Sequence, residues 1–192
     1  PQAVDEIYAA VKWVAENDAE LDLDRRRMAL VGNSAGGNMA LAAALLAKKR
    51  HAPAVRALVL LWPVTSASSD WKSYALYGGE RFLTAPLMKW MFGKYVSDPA
   101  QRGNDLMSPV RASAERLRGL PATLIVVAEN DILRDEGEAM GRRLDEAGVE
   151  VTTVRFNGVV HDWGMLNGFA ALHPTRTLIR LVGSVLRDYL EK

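Results

Sequence analysis

Cysteine is absent from this 192-residue sequence, which excludes disulfide bridges and thiolate metal sites. Long apolar runs are absent as well, so we expect no membrane span. Histidine is scarce: His51, His161 and His173 stand far apart, without the spacing of H-E-x-x-H or a similar metal motif. The sequence therefore predicts no metal site, and we expect no cofactor.

Neither sign of charge is in excess, because 24 lysines and arginines stand against 23 aspartates and glutamates. The basic cluster Arg25-Arg26-Arg27 is followed at once by an apolar segment, and no second basic face accompanies it. We interpret this cluster as a solvated loop and expect no nucleic-acid partner. A hydrophobic content of 49% is enough to bury a sizeable core, so the chain is predicted to be globular.

The first residue is Pro1 and not methionine, so we expect the chain to be a processed or excised portion of a longer protein. We expect a cytoplasmic location.

Hydrophobic patterning predicts strands and helices in alternation. The near-continuous apolar run over 55–62 is typical of a strand that is buried on both faces. The predicted helices cover 3–16, 39–49, 135–147 and 175–189, and the predicted strands cover 28–31, 55–62, 122–128 and 149–156. This order predicts an α/β fold, in which a parallel sheet carries helices on both faces.

Residues 66–111 differ from the rest, because they hold many of the aromatic residues among glycines, serines and prolines. We interpret them as an insertion with short helices and not as a new domain. The predicted organisation is a catalytic domain made of 1–65 and 108–192, interrupted by an insertion over 66–107.

A G-x-S-x-G turn, Gly32-Asn33-Ser34-Ala35-Gly36, lies between a predicted strand and an alanine-rich predicted helix. A nucleophilic serine is found in this context, because a sharp turn pushes its hydroxyl out at the carboxyl edge of the sheet. Small residues also form ordinary tight turns, so the pattern alone leaves that simpler interpretation open.

Asp131 and His161 each follow a predicted strand of their own, as Ser34 does, and the carboxyl ends of parallel strands are where functional groups collect. A serine hydroxyl needs a base poised near neutral pH, and imidazole needs an acceptor that fixes its tautomer. The chain order serine, acid, histidine is the order of an α/β-hydrolase.

Each of these residues also has a simpler interpretation. Asp131 could cap the following helix, although Asp135 and Glu136 are better placed in its first turn. His161 could be an ordinary loop histidine. We interpret His51, beside basic residues at a predicted helix end, and His173, before a proline at a helix start, as structural.

The motifs resemble the hormone-sensitive-lipase-like branch of the α/β-hydrolases, which holds many bacterial carboxylesterases and acetyl esterases. The family's G-D-S-A-G-G, D-x-L-x-D-E-G and histidine region correspond to Gly32-Asn33-Ser34-Ala35-Gly36-Gly37, Asp131-Ile132-Leu133-Arg134-Asp135-Glu136-Gly137 and His161-Asp162-Trp163-Gly164. Ser108-Pro109 and Ala3-Val4-Asp5 also look like family positions, so the match runs from end to end.

The resemblance implies a role for each motif residue. Ser34 would be the nucleophile, His161 the general base and then acid, and Asp131 the orienting carboxylate, with the Ala35 N–H as an oxyanion donor. The insertion would be part of a cap over an acyl pocket, whose aromatic residues either pack the cap or touch substrate. The residues considered for that pocket are Trp62, Trp71, Phe82, Trp90 and Trp163.

Two departures from the family pattern stand out. Asn33 replaces the usual aspartate and removes a charge beside the nucleophile, so the local pH behaviour is expected to differ. The H-G-G-G loop, which supplies further oxyanion N–H groups in the family, has no counterpart within residues 1–192. Because one lost oxyanion donor costs on the order of a hundred- to a thousandfold in rate, we expect full activity or folding to need an upstream portion.

These observations predict a serine carboxylesterase that hydrolyses short-chain acyl esters, with a small-molecule ester as its partner and a homodimer as a possible assembly. Two alternatives stay open. One is a non-catalytic ligand-binding protein on the same fold, and the other is a related acyl-transfer or amide-cleaving enzyme with the same three residues.

Overall fold

The computed structural model describes residues 2–96 and 98–191; Pro1 and Lys192, which bound the predicted domain ranges, lie outside the described residues. Four strands, β1 (Ala29–Asn33), β2 (Ala57–Leu61), β3 (Ala122–Asn130) and β4 (Val151–Val160), form one sheet. They pair in the order β1-β2-β3-β4, and every pair is parallel. The predicted α/β fold with a parallel sheet is confirmed.

Helices lie between successive strands, because parallel strands are joined by long crossover connections that usually contain a helix. The α-helices are α1 (Gln2–Glu16), α2 (Ala35–Arg50), α3 (Lys72–Tyr77), α4 (Ala85–Tyr95), α5 (Ala114–Leu117), α6 (Arg134–Glu146) and α7 (His173–Leu190). Short 3-10 helices occupy Pro99–Gly103, Pro109–Arg111 and Asn167–Phe169. Across residues 2–96 and 98–191, no helix combines the length and the apolar composition needed to cross a membrane.

The core lies on both faces of the sheet, because successive strand residues point to opposite sides. Leu58 and Leu60 of β2 pack in one cluster with residues of α2 and α6. Val59 and Leu61 pack in a second cluster, which α7 covers on the other face. All five residues of β2 are buried, which is why this strand reads as a continuous apolar run.

Two predicted boundaries differ from the structure by four residues, whereas the others differ by two residues at most. β4 continues to Val160 and not to Phe156, because Gly158 takes a positive φ of 73° within the strand, opposite a register shift between Ala128 and Asn130. The helix predicted to begin at residue 39 begins four residues earlier, at Ala35. In both places glycines lie inside the element, Gly158 within β4 and Gly36 and Gly37 within α2.

The insertion over 66–107 contains α3, α4 and one 3-10 helix. Its apolar residues Tyr74, Leu83 and Met88 form a small cluster with Ile132 and Leu133, just after β3. The insertion therefore packs on the carboxyl edge of the sheet. Its identification as a separate cap unit remains a prediction.

Candidate active site

Ser34 occupies the single residue between β1 and α2, and its backbone is strained, with φ 52° and ψ −120°. Its N–H donates to the Leu61 carbonyl at 2.9 Å, which ties the turn to the neighbouring strand. Gly32 permits the turn, since a Cβ there would overlap the Gly36 carbonyl, and a Cβ at Gly37 would lie 2.8 Å from Pro63 Cβ.

The other three positions of the turn are less crowded or have other contacts. A Cβ at Gly36 would meet only the Asn33 side chain, at 4.0 Å, so crowding does not require glycine there. The side chain of Asn33 reaches across to the end of β4, where its Nδ2 donates to Asp162 Oδ1 at 3.2 Å. Ala35 begins α2, so its backbone N–H belongs to the first turn of that helix, whose N–H groups have no acceptor within the helix.

The structure brings Ser34, His161 and Asp131 together at the carboxyl edge of the sheet. His161 Nε2 lies 3.0 Å from Ser34 Oγ, and His161 Nδ1 lies 2.7 Å from Asp131 Oδ2. The imidazole and the carboxylate are almost fully buried, with 4% and 0% of their side chains exposed. Water therefore competes little for these hydrogen bonds, and the ring orientation is fixed from both sides.

Asp131 is not the N-cap residue of α6, because that position belongs to Leu133. Its second oxygen, Oδ1, accepts a hydrogen bond from the Leu133 N–H at 2.9 Å. The carboxylate is thus held by its own turn and presents the other oxygen to His161. Asp131 fixes the turn that leads into α6 without capping the helix.

Asp162 is a neighbour of the imidazole that sequence reasoning left without a role. Its Oδ1 accepts hydrogen bonds from Trp62 Nε1 at 2.6 Å and from Asn33 Nδ2 at 3.2 Å. The same oxygen lies 3.8 Å from His161 Nε2, on the side of the ring that faces Ser34. One feature of the sequence points to this contact, namely the asparagine at position 33, where the family usually has an aspartate.

Glu136 lies behind Asp131 and was also missed. It is fully buried, and its Oε1 accepts the backbone N–H groups of Thr65 and Ser66 at 2.7 and 3.0 Å. Burial raises the pKa of Glu136 well above its ordinary value, and the nearby Asp131 charge adds to that effect. The pKa of Tyr74 is raised by burial and by the charges of Glu136 and Asp131.

A small cavity of about 70 Å³ opens beside Ser34. Its lining is mostly apolar and consists of Ser34, Ala35, Asn38, Val64, Met88, Met91, Phe92 and Tyr95. The four residues from α4 recur at the i, i+3, i+4 and i+7 positions of one helix face, a signal that was available in the sequence. One face of α4 therefore forms a wall of the cavity.

The five aromatic residues considered for the pocket lie elsewhere. Trp62 and Trp163 are fully buried and stack with ring centroids 4.4 Å apart, while Trp71 packs between two core clusters. Phe82 and Trp90 are more than half exposed. The cavity beside Ser34 is lined by other residues, and substrate contact by these five remains a prediction.

The two remaining histidines occupy helix ends. His51 takes a left-handed conformation directly after α2, and His173 is the first residue of α7. Among residues 2–96 and 98–191, no group of three or more His, Asp or Glu side chains could hold a metal ion.

Comparison with known proteins gives consistent matches. An ethyl acetate hydrolase from Pseudomonas putida is 37% identical over 164 residues, which are 85% of this chain and 51% of that protein. An arylesterase from Saccharolobus solfataricus is 34% identical over 189 residues, which are 98% of this chain and 59% of that protein. The crystal structure of a thermostable esterase from Pseudomonas putida matches with a TM-score of 0.97 and 46% identity, covering 99% of this chain and 60% of that one.

This chain thus spans between 51% and 60% of the length of those proteins. A family model described as alpha/beta hydrolase fold matches residues 1–165. Because this match covers most of the sequence and includes the serine, acid and histidine motifs, the chain belongs to the α/β-hydrolase fold family, in the hormone-sensitive-lipase-like branch that its motifs resemble.

Proposed function

We propose that this chain is the catalytic part of a serine carboxylesterase that hydrolyses short-chain acyl esters of small molecules. The observation that carries the proposal is the buried series of contacts from Ser34 Oγ through His161 to Asp131, with distances of 3.0 and 2.7 Å. The esterase names of the relatives support the same reaction class.

In the first half of the reaction, Ser34 Oγ attacks the acyl carbon of the ester while its proton moves to His161 Nε2. The carbonyl electron pair moves to the oxygen, which becomes the oxyanion of a tetrahedral intermediate. When this intermediate collapses, the bond to the alcohol oxygen breaks, and that oxygen takes the proton from Nε2. An acyl-enzyme on Ser34 and a free alcohol remain.

In the second half, water attacks the acyl-enzyme as His161 Nε2 takes its proton, and the proton returns to Ser34 Oγ when the acid leaves. Asp131 accepts from Nδ1–H throughout, so the neutral ring presents a bare Nε2 to the proton donor. His161 is held at hydrogen-bond distance from the serine, which favours catalysis over a purely ligand-binding role.

The Ala35 N–H, at the start of α2, is the oxyanion donor that this chain supplies. We propose that further donors come from a segment outside residues 1–192, since the related proteins are longer and the H-G-G-G loop has no counterpart here. Rate enhancement by the chain alone is then expected to be a hundred- to a thousandfold below that of a longer form that supplies one more donor, by the usual cost of losing one.

The cavity favours small acyl or alkoxy groups. A volume of about 70 Å³ has room for a few water-sized groups, and its apolar lining suits a short hydrocarbon chain.

The test is the hydrolysis rate of p-nitrophenyl butyrate by this chain, compared with its Ser34→Ala variant. We expect the rate to fall to the background of the free ester, because the alanine removes the nucleophile and leaves the buried surroundings intact. Equal rates for the two proteins would contradict an acyl-enzyme on Ser34.

A homodimer also remains a prediction, which the molar mass from light scattering would decide.

A further inference from the structure

The sequence places an asparagine where the family usually has an aspartate, and the structure gives that residue a specific partner. Asn33 Nδ2 and Trp62 Nε1 both donate to one oxygen of Asp162, at 3.2 and 2.6 Å. Carboxylate oxygens that accept two such bonds are well fixed in position. This oxygen lies 3.8 Å from His161 Nε2.

We propose that Asp162 is a second carboxylate of the site, which stabilises the imidazolium that forms when Ser34 gives its proton to His161. This proposal rests on the esterase function above. Asp131 meets the positive ring at Nδ1, and Asp162 faces it from the Nε2 side. Asp162 is a positioning residue, because it acts on His161 and not on the substrate.

Distance decides what Asp162 can do. A separation of 3.8 Å is too long for a hydrogen bond, so Asp162 leaves Nε2 free for Ser34 Oγ, which lies 3.0 Å away. A full charge at that distance still attracts the imidazolium appreciably. Because the Asp162 side chain is 28% exposed, solvent screens part of the attraction, and we expect an effect of about tenfold on rate.

Asn33 and Trp62 keep the carboxylate in this position. An amide at position 33 can donate to Asp162, whereas an aspartate would place two carboxylates in contact, which then share a proton. Asp162 also has a left-handed backbone, with φ 58°, a conformation that glycine, asparagine and aspartate adopt more readily than most other residues. The other titratable groups near the site are Asp131, which contacts the ring at Nδ1, and Glu136 and Tyr74, whose pKa values are raised by burial and by the Asp131 charge. Every variant leaves these three groups unchanged.

The experiment compares Asp162→Asn with the wild type by two readouts. One is the pH dependence of kcat/KM for p-nitrophenyl butyrate, and the other is the pH midpoint of the His161 ring signals in NMR. We expect the plateau of kcat/KM to fall about tenfold, and both the acid limb and the NMR midpoint to move about one pH unit lower. Asp145→Asn, the same change at an exposed site near the end of α6, should alter neither readout.

Two further variants keep the test decisive. Asp162→Gly removes the carboxylate in a backbone conformation that suits glycine, so it should fold and reproduce the effect of Asp162→Asn. The double variant Asn33→Asp with Asp162→Asn again pairs one carboxylate with one amide. It should reverse at least half of the change in pH midpoint that Asp162→Asn causes. An unchanged midpoint in both Asp162 variants would overturn the proposal.

The NMR midpoint does not depend on turnover, so it separates the two hypotheses. If Ser34 is not required for hydrolysis but the midpoint moves, the esterase function fails and the influence of Asp162 on His161 stands. If hydrolysis requires Ser34 but neither readout responds to Asp162, only this inference fails.

Discussion

The carboxyl edge of the sheet and the insertion over 66–107 face each other across Ser34, and they are held by different forces. At the sheet edge, Ser34, Asp131 and His161 follow directly on strands whose backbones are fixed by a parallel ladder. Buried hydrogen bonds of 2.7 and 3.0 Å then fix the side chains. Little freedom remains at the atoms that would react.

The insertion is attached by its small apolar cluster with Ile132 and Leu133 and by several polar anchors. Asn38 Nδ2 donates to the carbonyls of Val64 and Met107, at either end of the insertion, and Asp135 Oδ2 accepts the Ser73 N–H at the start of α3. The insertion also exposes apolar side chains: Leu76, Phe82, Leu87, Trp90 and Met91. From this difference we expect chemistry and substrate selection to be separable, the first depending on the sheet edge and the second on the insertion and its anchors.

The largest expected effect is the loss of activity at Asp131, compared with Asp135 four positions along the chain. Asp131→Asn should lower kcat roughly 10⁴-fold, because an amide facing Nδ1 favours the wrong tautomer of His161. Asp135→Asn should lower kcat/KM by less than about tenfold, since Asp135 anchors α3 and does not touch the imidazole. Steady-state kinetics of both variants check this. Equal losses of activity in the two variants would mean that the sheet edge and the insertion do not contribute separately to the reaction.

Glu136 joins the two regions, so its removal should destabilise the fold. Glu136→Ala leaves the buried N–H groups of Thr65 and Ser66 without their acceptor, and we expect a loss of about 2–4 kcal/mol in the free energy of unfolding. Glu138→Ala in the same helix removes only a partly exposed ion pair with Arg155 and should cost less than about 1 kcal/mol. Urea denaturation measures both, and similar losses would contradict the role of Glu136.

The pH dependence of stability gives a finer test of the same residue. The pKa of Glu136 is raised in the folded chain above its ordinary value of 4.5, so the folded state binds this proton more tightly than the unfolded state. Its contribution to stability is therefore complete below that value and is lost as pH rises through the folded pKa, with a slope of at most about 1.4 kcal/mol per pH unit.

Glu136→Gln keeps an acceptor for the two N–H groups and cannot ionise. Its free energy of unfolding should fall less than that of the wild type between about pH 5 and pH 8. Urea denaturation at several pH values gives the two curves, in which the other titrating groups contribute equally. Parallel curves would indicate that Glu136 titrates alike in both states.

The smallest expected effect concerns substrate choice. Met91 and Trp90 are neighbours on α4, but only Met91 lines the cavity beside Ser34. Met91→Ala should raise kcat/KM for p-nitrophenyl hexanoate relative to the acetate by about three- to tenfold, because the cavity gains room for methylene groups. Trp90→Ala should change that ratio less than twofold. A larger change of the ratio in Trp90→Ala would instead support the pocket predicted from the sequence, which includes Trp90.

These regions also differ in how far the sequence predicts them. Ser34, Asp131 and His161 come from short motifs at strand ends, so their proximity follows from the parallel order of the strands alone. Asp162 and Glu136 could not be assigned, because their roles depend on partners far along the chain, Trp62 and Thr65. The wall of the cavity was not predicted, because the way α4 packs against Ser34 decides which of its residues line the cavity. The end of β4 was not predicted, because Gly158 continues the strand with a positive φ.

The left-handed backbone of Ser34 has a consequence for evolution and engineering. Strain of this kind costs about 1–3 kcal/mol, and glycine adopts the same conformation at little cost. A Ser34→Gly change would therefore remove the proposed nucleophile and leave the fold as stable as before or more so. Selection for yield or thermal resistance alone would then enrich inactive variants, so libraries built on this scaffold need an activity screen at every round.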